Sequence, residues 1–339
     1  MRGLGFIRLL FWIPYFCSKY TLRKNLSIGG TYYSETYSNS FQMFREGKID
    51  FWITREKGFI ESGVIFIYSF KSLWLHLTCG KVYVDYGTKD VLWFLIGGAK
   101  VVNLWHGMPI KRIENDIEAG PLSIKFSSER KNLLYRMMYY QDSFCQHHSV
   151  LVNSLYHEKI LDNTFNTDKL VLGRAPRIKL WGSRRKGTTE EKKVAFCLTF
   201  NDSGKEPPLL RNILNFQHRY SCSTLELHIV LHPKDKLLFN SLNKEGISNL
   251  KLGFDPSYFG PGDVLISEQS SLLFDADLAG VDTGLLDFAQ QDLRDQYMNL
   301  CEFMDLRQVI RSSEDISLYL DRIIRGYTTL GWTEKLGFV

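Results

Sequence analysis

The stretch Val101–Ile113, VVNLWHGMPIKRI, decides the expected fold. It begins with an almost continuous apolar run that ends at Trp105, which is typical of a strand covered on both faces of a parallel sheet. His106 and Gly107 follow at the carboxyl end of this predicted strand, where open α/β sheets bind ligands, and glycine permits an immediate turn. His106 is therefore a candidate acid–base residue, although a single histidine after a strand is more often structural.

Strand and helix patterns alternate on both sides of this stretch, which is the rhythm of a doubly wound α/β sheet. The first half has predicted strands at 50–54, 64–68, 81–85, 100–105 and 149–153, and predicted helices at 70–77 and 91–96, the second ended by Gly97-Gly98. In the second half, strands are predicted at 193–200, 225–231 and 263–266, and helices at 292–304 and 316–330. Ser38 and Ser154 have the character of helix N-caps.

The segment 181–193, WGSRRKGTTEEKK, has the glycine, hydroxyl and charged composition of a linker. A chain of 339 residues is also too long for one small hydrophobic core. We therefore expect an N-terminal α/β domain over 25–180 and a C-terminal α/β domain over 194–339.

The first 24 residues carry five basic side chains and no acidic one, which equals the whole net charge of +5. The apolar run LLFWIPYF at 9–16 is too short to span a bilayer, and no small-residue cleavage pattern follows it. Residues 1–24 are predicted to lie in the headgroup region of a membrane, with Phe11, Trp12 and Phe16 inserted and basic side chains facing anionic lipid. The alternative is an amphipathic helix packed on the domain.

The six cysteines include no C-x-x-C pair, so neither a disulfide framework nor a zinc ribbon is indicated, and a reducing cytoplasm is expected. Cys145, His147 and His148 stand together, but adjacent histidines project in different directions, and a fourth metal ligand is missing at suitable spacing. Because the chain after residue 24 is neutral, a broad nucleic-acid-binding face is not expected.

Two further strand ends carry polar residues in the second half. The strand at 225–231 is followed by His232-Pro233-Lys234, and the strand at 263–266 by Ser267-Glu268-Gln269-Ser270-Ser271. Two serines that open a helix bring hydroxyl groups and unpaired backbone N–H groups to one point, which suits a diphosphate. On its own, such a serine pair is more often only an N-cap.

Four segments together resemble the CDP-glycerol glycerophosphotransferase family, bacterial enzymes that prime or polymerise teichoic acids and related surface polymers. They are LWHGMPIKR at 104–112, GRAPR at 173–177, LHPK at 231–234 and ISEQSSLLFD at 266–275. The Ser38-Asn39-Ser40 turn is similar to another segment of the family. Glu268 and Gln269 stand where the family has Asp and Tyr, and Ile178-Lys179 replace its usual Asn-Asp.

The resemblance implies a GT-B-like α/β fold, with two doubly wound Rossmann-like domains, a central cleft, an acceptor-side first domain and a nucleotide-donor-binding second domain. It implies transfer of glycerol phosphate or a related polyol phosphate from CDP-glycerol or CDP-ribitol to a hydroxyl of a lipid-linked or polymeric glycan, with release of CMP. His106 and His232 are the expected catalytic residues. The expected donor-binding residues are Ser270, Ser271, Arg177, Lys234, Glu268 and Ser267.

The expected location is the cytoplasmic face of the bacterial cell membrane, as a peripheral protein. No resident cofactor is indicated, and the use of Mg²⁺ is left open. Two alternatives also remain open at this point: a GT-B glycosyltransferase that uses a nucleotide sugar, and a non-catalytic relative that binds a glycolipid or a partner synthase.

Overall fold

The computed structural model describes residues 9–31, 37–58, 61–110, 112–113, 116, 137, 145–162, 164–165, 167–183, 192–198, 210–211, 213–214, 225–232, 235–244, 247, 249–268, 270–287 and 297–338. The chain divides into two compact units, Met1–Arg177 with Gly337–Val339, and Ile178–Leu336. The division falls just before the predicted linker, because the residues after it pack with the second unit. The Trp181 ring lies 5.3 Å from that of Phe254. Residues 184–191 of the linker lie outside the described residues.

The first unit is built on a seven-stranded parallel sheet with the order β3-β2-β1-β4-β5-β6-β7. Its elements are α1 (Trp12–Ser18), β1 (Lys24–Gly30), α2 (Asn39–Arg45), β2 (Phe51–Thr54), β3 (Val64–Phe66), α3 (Phe70–Thr78), β4 (Cys79–Val84), β5 (Lys100–Asn103), β6 (Ser149–Val152), α4 (Leu155–Leu161) and β7 (Leu170–Leu172). The strand order reverses between β1 and β4. Open α/β sheets bind their ligands at the carboxyl end of such a switch point.

Local sequence explains where the helices of this unit begin. The Ser38 side chain accepts a hydrogen bond from the backbone N–H of Phe41 at the start of α2, and Ser154 accepts one from His157 at the start of α4. Both predicted N-caps are confirmed. The central strands are held by their apolar residues, since Ile28, Val82 and Val101 are buried in one cluster with Leu75 of α3. Burial of each such side chain stabilises the fold by about 1.5–3 kcal/mol.

The second unit repeats the arrangement with a six-stranded parallel sheet in the order β10-β9-β8-β11-β12-β13. Its elements are β8 (Lys192–Cys197), β9 (Leu225–Leu231), α5 (Lys236–Lys244), β10 (Leu250–Leu252), β11 (Val264–Ser267), α6 (Leu272–Leu278), β12 (Asp282–Leu286), β13 (Val309–Ile310) and α7 (Ser313–Ile324). The switch point lies between β8 and β11. Two doubly wound parallel sheets confirm the predicted α/β fold.

The predicted helix at 91–96 is wrong. The chain forms two short 3₁₀ turns there, Thr88–Asp90 and Trp93–Leu95. The glycines that follow have a different role from the predicted C-cap. A Cβ on Gly97 would lie 2.3 Å from the Tyr15 carbonyl oxygen, and the Gly97 N–H donates to Ser18 Oγ at 2.8 Å. Gly97 therefore permits the close approach of α1.

The predicted C-terminal helices differ in their bounds. The helix predicted at 316–330 begins earlier, because the Ser312 hydroxyl accepts from the Asp315 N–H, and it ends at Ile324. Gly326 follows at a φ of 90°, which turns the chain out of the helix. Of the helix predicted at 292–304, residues 292–296 lie outside the described part, and Leu300–Glu302 forms a 3₁₀ turn. Among the described residues, no helix is both long enough and apolar enough to span a bilayer.

Candidate active site

His106 lies in a strained turn just after β5. The Trp105 N–H donates to the Asn103 side-chain oxygen at 2.9 Å, and Trp105 itself has a φ of 51°, in the left-handed region that a bulky residue rarely adopts. Gly107 has a φ of 148°. These two residues turn the chain sharply on either side of His106. Backbone strain of this kind costs on the order of 1–3 kcal/mol and persists where the surroundings hold it.

The His106 ring is fixed by one hydrogen bond and two aromatic neighbours. Its Nδ1 lies 3.3 Å from the backbone oxygen of Asp85, the residue after β4. A carbonyl oxygen only accepts, so Nδ1 carries the proton and Nε2 presents a lone pair. The ring stacks on Tyr86 with centroids 4.0 Å apart and lies 4.2 Å from the Trp105 ring.

The environment keeps His106 neutral. Burial lowers its pKa from 6.5 to about 3, the hydrogen bond to the Asp85 carbonyl opposes this shift, and Arg177 and Lys89 lower the pKa further. At neutral pH the imidazole is therefore deprotonated at Nε2. The residue is half-buried, and a neutral half-buried imidazole with one fixed tautomer is suited to accept a proton.

The Ser38-Asn39-Ser40 turn lies across the switch point from His106 and is tied to the end of β4. The buried Asp85 carboxylate accepts hydrogen bonds from the hydroxyls of Ser38 and Ser40, the latter at 2.6 Å, and from the Ser40 N–H at 3.1 Å. Burial raises the pKa of Asp85, and these hydrogen bonds oppose the rise. Asp85 thus holds the turn with its carboxylate and His106 with its carbonyl.

Asn39, at the centre of that turn, clamps the strained carbonyl of Trp105. Its Nδ2 donates to the Trp105 oxygen at 2.5 Å and to the Leu104 oxygen at 3.3 Å. Its Oδ1 accepts from the Arg177 N–H at 2.9 Å, and Arg177 Nη1 donates to the same Trp105 oxygen at 3.4 Å. The Trp105 carbonyl is therefore held by an amide and a guanidinium, both fully buried.

A second histidine of the first unit, His157 in α4, is buried and interacts electrostatically with His106 and Arg177. Burial lowers the pKa of His157 to about 3, with Arg177 and His106 adding to the effect. Its Nδ1 accepts from the Asn153 N–H at 3.1 Å, so Nε2 carries the proton. Among the described residues, that buried Nε2–H has no hydrogen-bond partner. The first unit thus concentrates two neutral imidazoles and one guanidinium at one sheet edge.

At the switch point of the second unit, the predicted serines divide into two kinds. Ser267 is buried, and its hydroxyl donates to the Cys197 backbone oxygen at 2.7 Å, which joins the ends of β11 and β8. The hydroxyl proton of Ser267 is therefore used within the fold, and a role for this residue in donor binding stays a prediction. Ser270 and Ser271 are half-buried, Ser270 Oγ accepts from the Leu272 N–H at 3.3 Å, and Ser271 makes no side-chain capping bond.

The helix behind these serines, α6, has only seven residues. Its dipole is correspondingly small, so a phosphate at this place would depend mainly on hydroxyl and backbone donors. Glu268 is half-buried beside Ser267. His232 follows β9 and is half-buried, and the Asp235 N–H donates to its carbonyl at 2.8 Å. Lys234 and Gln269 lie outside the described residues.

The predicted site residues therefore lie in two different units of the chain. It brings Arg177 next to the His106 turn of the first unit, whereas the resemblance implied a role in donor binding. It puts His232, Glu268, Ser270 and Ser271 on strand ends of the second unit. Within the described part of the chain, no group of three or more His, Cys, Asp or Glu side chains could hold a metal ion.

Asn39, Asp85 and His157 are residues of the site that sequence reasoning missed. Asp85 could have been identified from the sequence, because it is a polar residue at the end of a predicted strand. The same signal identified His106. Asn39 stood in a turn interpreted as an N-cap and as similar to a family segment, and no role was predicted for its side chain. His157 stood on an ordinary helix, and no local pattern in the sequence marks it.

The predicted membrane segment is corrected in one residue. Trp12 is buried, with its ring 4.8 Å from that of Trp93, and its indole N–H donates to the Met137 backbone oxygen at 3.0 Å. Between residues 10 and 18, the exposed large apolar side chains are instead Leu10, Ile13 and Phe16, with Phe11 partly exposed. Residues 1–8 lie outside the described residues.

No family model matches the chain, and no curated protein matches it in sequence. Solved structures do match its fold. A variant of the wall teichoic acid polymerase TagF superposes with a TM-score of 0.69 at 14% identity over 95% of this chain and 90% of that chain. A crystal of the same polymerase soaked with CDPG gives 0.68 at 14% identity, over 95% and 90%.

The UDP-GlcNAc 2-epimerase from Methanocaldococcus jannaschii gives a TM-score of 0.52 at 12% identity, over 92% of this chain and 95% of that chain. At such low identity, these likenesses show the fold alone. The chain has the fold of a teichoic acid polymerase over nearly the whole length of both chains, which is the fold that the resemblance of the four segments implied.

Proposed function

We propose that the protein transfers glycerol phosphate, or a related polyol phosphate, from a CDP-alcohol to a hydroxyl of a lipid-linked or polymeric cell-surface glycan. The acceptor oxygen forms a bond to the β-phosphorus of the donor, the bond from that phosphorus to the bridging oxygen breaks, and CMP leaves. The acceptor proton passes to a base. The observation that carries this proposal is the neutral His106, with its lone pair on Nε2, in a fold shared with a teichoic acid polymerase.

His106 is the proposed base. A hydroxyl is a poor nucleophile at neutral pH, and a positioned base typically contributes about 10²- to 10⁴-fold to such a step. A pKa of about 3 makes an imidazole a weak base. The reacting diphosphate is anionic, and a negative charge close to an imidazole raises its pKa, so the basicity of His106 increases when the reactants are bound.

The second unit is the proposed donor-binding unit. Phosphoryl transfer depends mainly on positioning and on neutralising charge on the phosphate oxygens. Ser270 and Ser271 offer half-buried hydroxyls after β11, and His232 follows β9, which β8 separates from β11. Lys234 and Glu268 remain proposed donor contacts, carried by the sequence resemblance.

Peripheral attachment to the cytoplasmic face of the membrane is part of the proposal, since a lipid-linked acceptor requires it. Leu10 and Ile13 are each 63% exposed, and Phe16 is 49% exposed. Lys19 lies over the Phe16 ring at 5.3 Å. An exposed apolar face beside basic side chains suits the interface of an anionic bilayer.

The test is nucleotide release by the purified protein from a panel of donors, with a membrane-derived acceptor and products identified by mass. CMP that appears only with CDP-glycerol or CDP-ribitol is the expected result. Release of UDP or GDP from a nucleotide sugar would move the protein to the glycosyltransferases. Binding of the acceptor without release from any donor would favour the non-catalytic alternative.

A further inference from the structure

A polar cavity of about 270 Å³ lies in the first unit, away from the His106 turn. It opens at the amino ends of β5, β6 and β7, whereas His106 follows the carboxyl end of β5. Its wall includes Tyr15 and Lys19 at the end of α1, Lys100 at the start of β5, and Gln146, His148 and Asp168 just ahead of β6 and β7. The cavity therefore adjoins the proposed membrane-binding helix.

The wall of this cavity is fixed by hydrogen bonds that tie α1 to the sheet. The Gly97 N–H donates to Ser18 Oγ at 2.8 Å. Arg23 donates from Nη2 to the Ser18 oxygen at 2.7 Å and from Nη1 to the His76 oxygen at 2.8 Å. Because these contacts lock the end of α1, Lys19 and Lys100 flank a space that is present in the fold before any ligand binds.

The charge of the cavity favours an anion. Among the described residues that line it, Asp168 is the one acidic side chain. Its carboxylate already accepts from Gln146 Nε2 and lies 3.2 Å from His148 Nδ1. Lys19 and Lys100 are exposed at the rim, and no ion pair joins either of them to an acidic group of the described residues. The cavity wall thus carries two lysine ammonium groups and one carboxylate, and that carboxylate already contacts Gln146 and His148.

We propose that this cavity binds the phosphate group of an anionic phospholipid while the exposed face of α1 enters the bilayer. The inference rests on the membrane attachment proposed above and assigns it a specific lipid contact. A phosphate beside two ammonium groups gains charge-assisted hydrogen bonds. Ile13 and Phe16, exposed on the helix that carries Tyr15 of the cavity wall, offer the acyl region of the same lipid an apolar surface, which a free phosphate ester does not need.

The test is co-sedimentation with vesicles of phosphatidylglycerol mixed into phosphatidylcholine, and with phosphatidylcholine alone. Lys100→Gln removes a cavity charge, whereas Lys24→Gln is the matched control: Lys24 is exposed in the same unit but stacks over the Trp74 ring at 4.3 Å, outside the cavity. Removal of one lysine near an anionic surface lowers the affinity by about fivefold. Lys24→Gln should show that loss, and Lys100→Gln on the order of 50-fold, because a charge-assisted hydrogen bond is lost as well.

Equal losses for both variants on phosphatidylglycerol vesicles would overturn the inference, since they would reflect general surface charge. Titration with rac-glycerol 1-phosphate, monitored by the amide NMR signals of the protein, distinguishes binding of a lipid phosphate from binding of a free phosphate ester. If Lys100→Gln abolishes binding of that ester but leaves vesicle affinity unchanged, the cavity binds free phosphate esters and the lipid assignment is wrong. Ile13→Asp tests the attachment itself: unchanged sedimentation of that variant would contradict the proposed membrane face independently of the cavity.

Discussion

Both units have polar residues at the switch points of their sheets, but these residues differ in burial and in hydrogen bonding. In the first unit, Asn39, Asp85 and Arg177 are fully buried and hydrogen-bonded around the strained Trp105 turn. In the second unit, Ser270 and Ser271 are half-buried, and only Ser267 is used to join the two strands. A group that moves a proton needs a fixed tautomer and orientation, whereas a phosphate needs donors that it can reach. The difference supports the proposal that the first unit carries the chemistry and the second unit binds the donor.

The largest expected effect separates these two roles. His106→Asn retains an N–H donor that can reach the Asp85 carbonyl but has no base, so turnover should fall by about 10²- to 10⁴-fold. Donor affinity should stay within about threefold, because the proposed donor contacts lie in the second unit. CMP release and equilibrium binding of CDP-glycerol measure the two quantities. A near-normal rate would remove His106 as the base.

The next effect concerns the clamp on Trp105. Asn39→Asp keeps the acceptor for the Arg177 N–H but removes the donor that lies 2.5 Å from the Trp105 oxygen. Loss of that buried hydrogen bond should cost about 2 kcal/mol, which corresponds to a rate about 30-fold lower. The fall should appear in kcat rather than in donor affinity. If kcat is unchanged, the clamp serves only stability, which thermal unfolding of the same variant would show.

A smaller effect is expected in the second unit. Ser270→Ala with Ser271→Ala should weaken donor binding about tenfold, because two reachable hydroxyls are lost. Ser267→Ala is the matched control: it should lower the free energy of unfolding by about 1 kcal/mol and leave donor affinity within about twofold, since its hydroxyl donates to the Cys197 carbonyl. Calorimetric titration with CDP-glycerol measures the affinities. The reverse ranking of the two variants would contradict the division drawn between these serines.

The smallest expected effect is on the pH dependence of kcat/KM, which reports the free protein. A histidine of ordinary pKa would be mostly protonated at pH 5, and the rate would fall about 30-fold from its plateau. With its pKa lowered to about 3, His106 stays neutral as the pH falls from 7 to 5. The acid limb should therefore lie below pH 5. A limb centred near pH 6.5 would show that burial does not depress the basicity of this residue.

Much of the fold was predictable because both sheets are parallel and buried. Continuous apolar runs marked β5, β8 and β9, and the polar residues at their ends marked His106 and His232. The helix predicted at 91–96 failed because its apolar residues pack against α1 and the sheet as short 3₁₀ turns, which have no distinct period in the sequence.

The clamp around His106 was not predictable in the same way. Asn39 meets the Trp105 carbonyl across 66 positions of the chain, and Arg177 meets it across 72. Such contacts depend on the strand order, which brings β1 beside β4, and no local pattern encodes them. At Ser267, a local motif was not enough to define the role of the side chain. Its place in a serine-rich motif predicted ligand binding, but its hydroxyl donates a hydrogen bond within the fold.

The neutral state of His106 can be observed directly by ¹⁵N NMR of the histidine rings in the intact protein, with His106→Asn used for assignment. The expected spectrum shows His106 protonated at Nδ1, unprotonated at Nε2 and unchanged from pH 8 to pH 5. A proton on Nε2 throughout this range, or titration of the ring near pH 6.5, would contradict its assignment as the residue that accepts the proton.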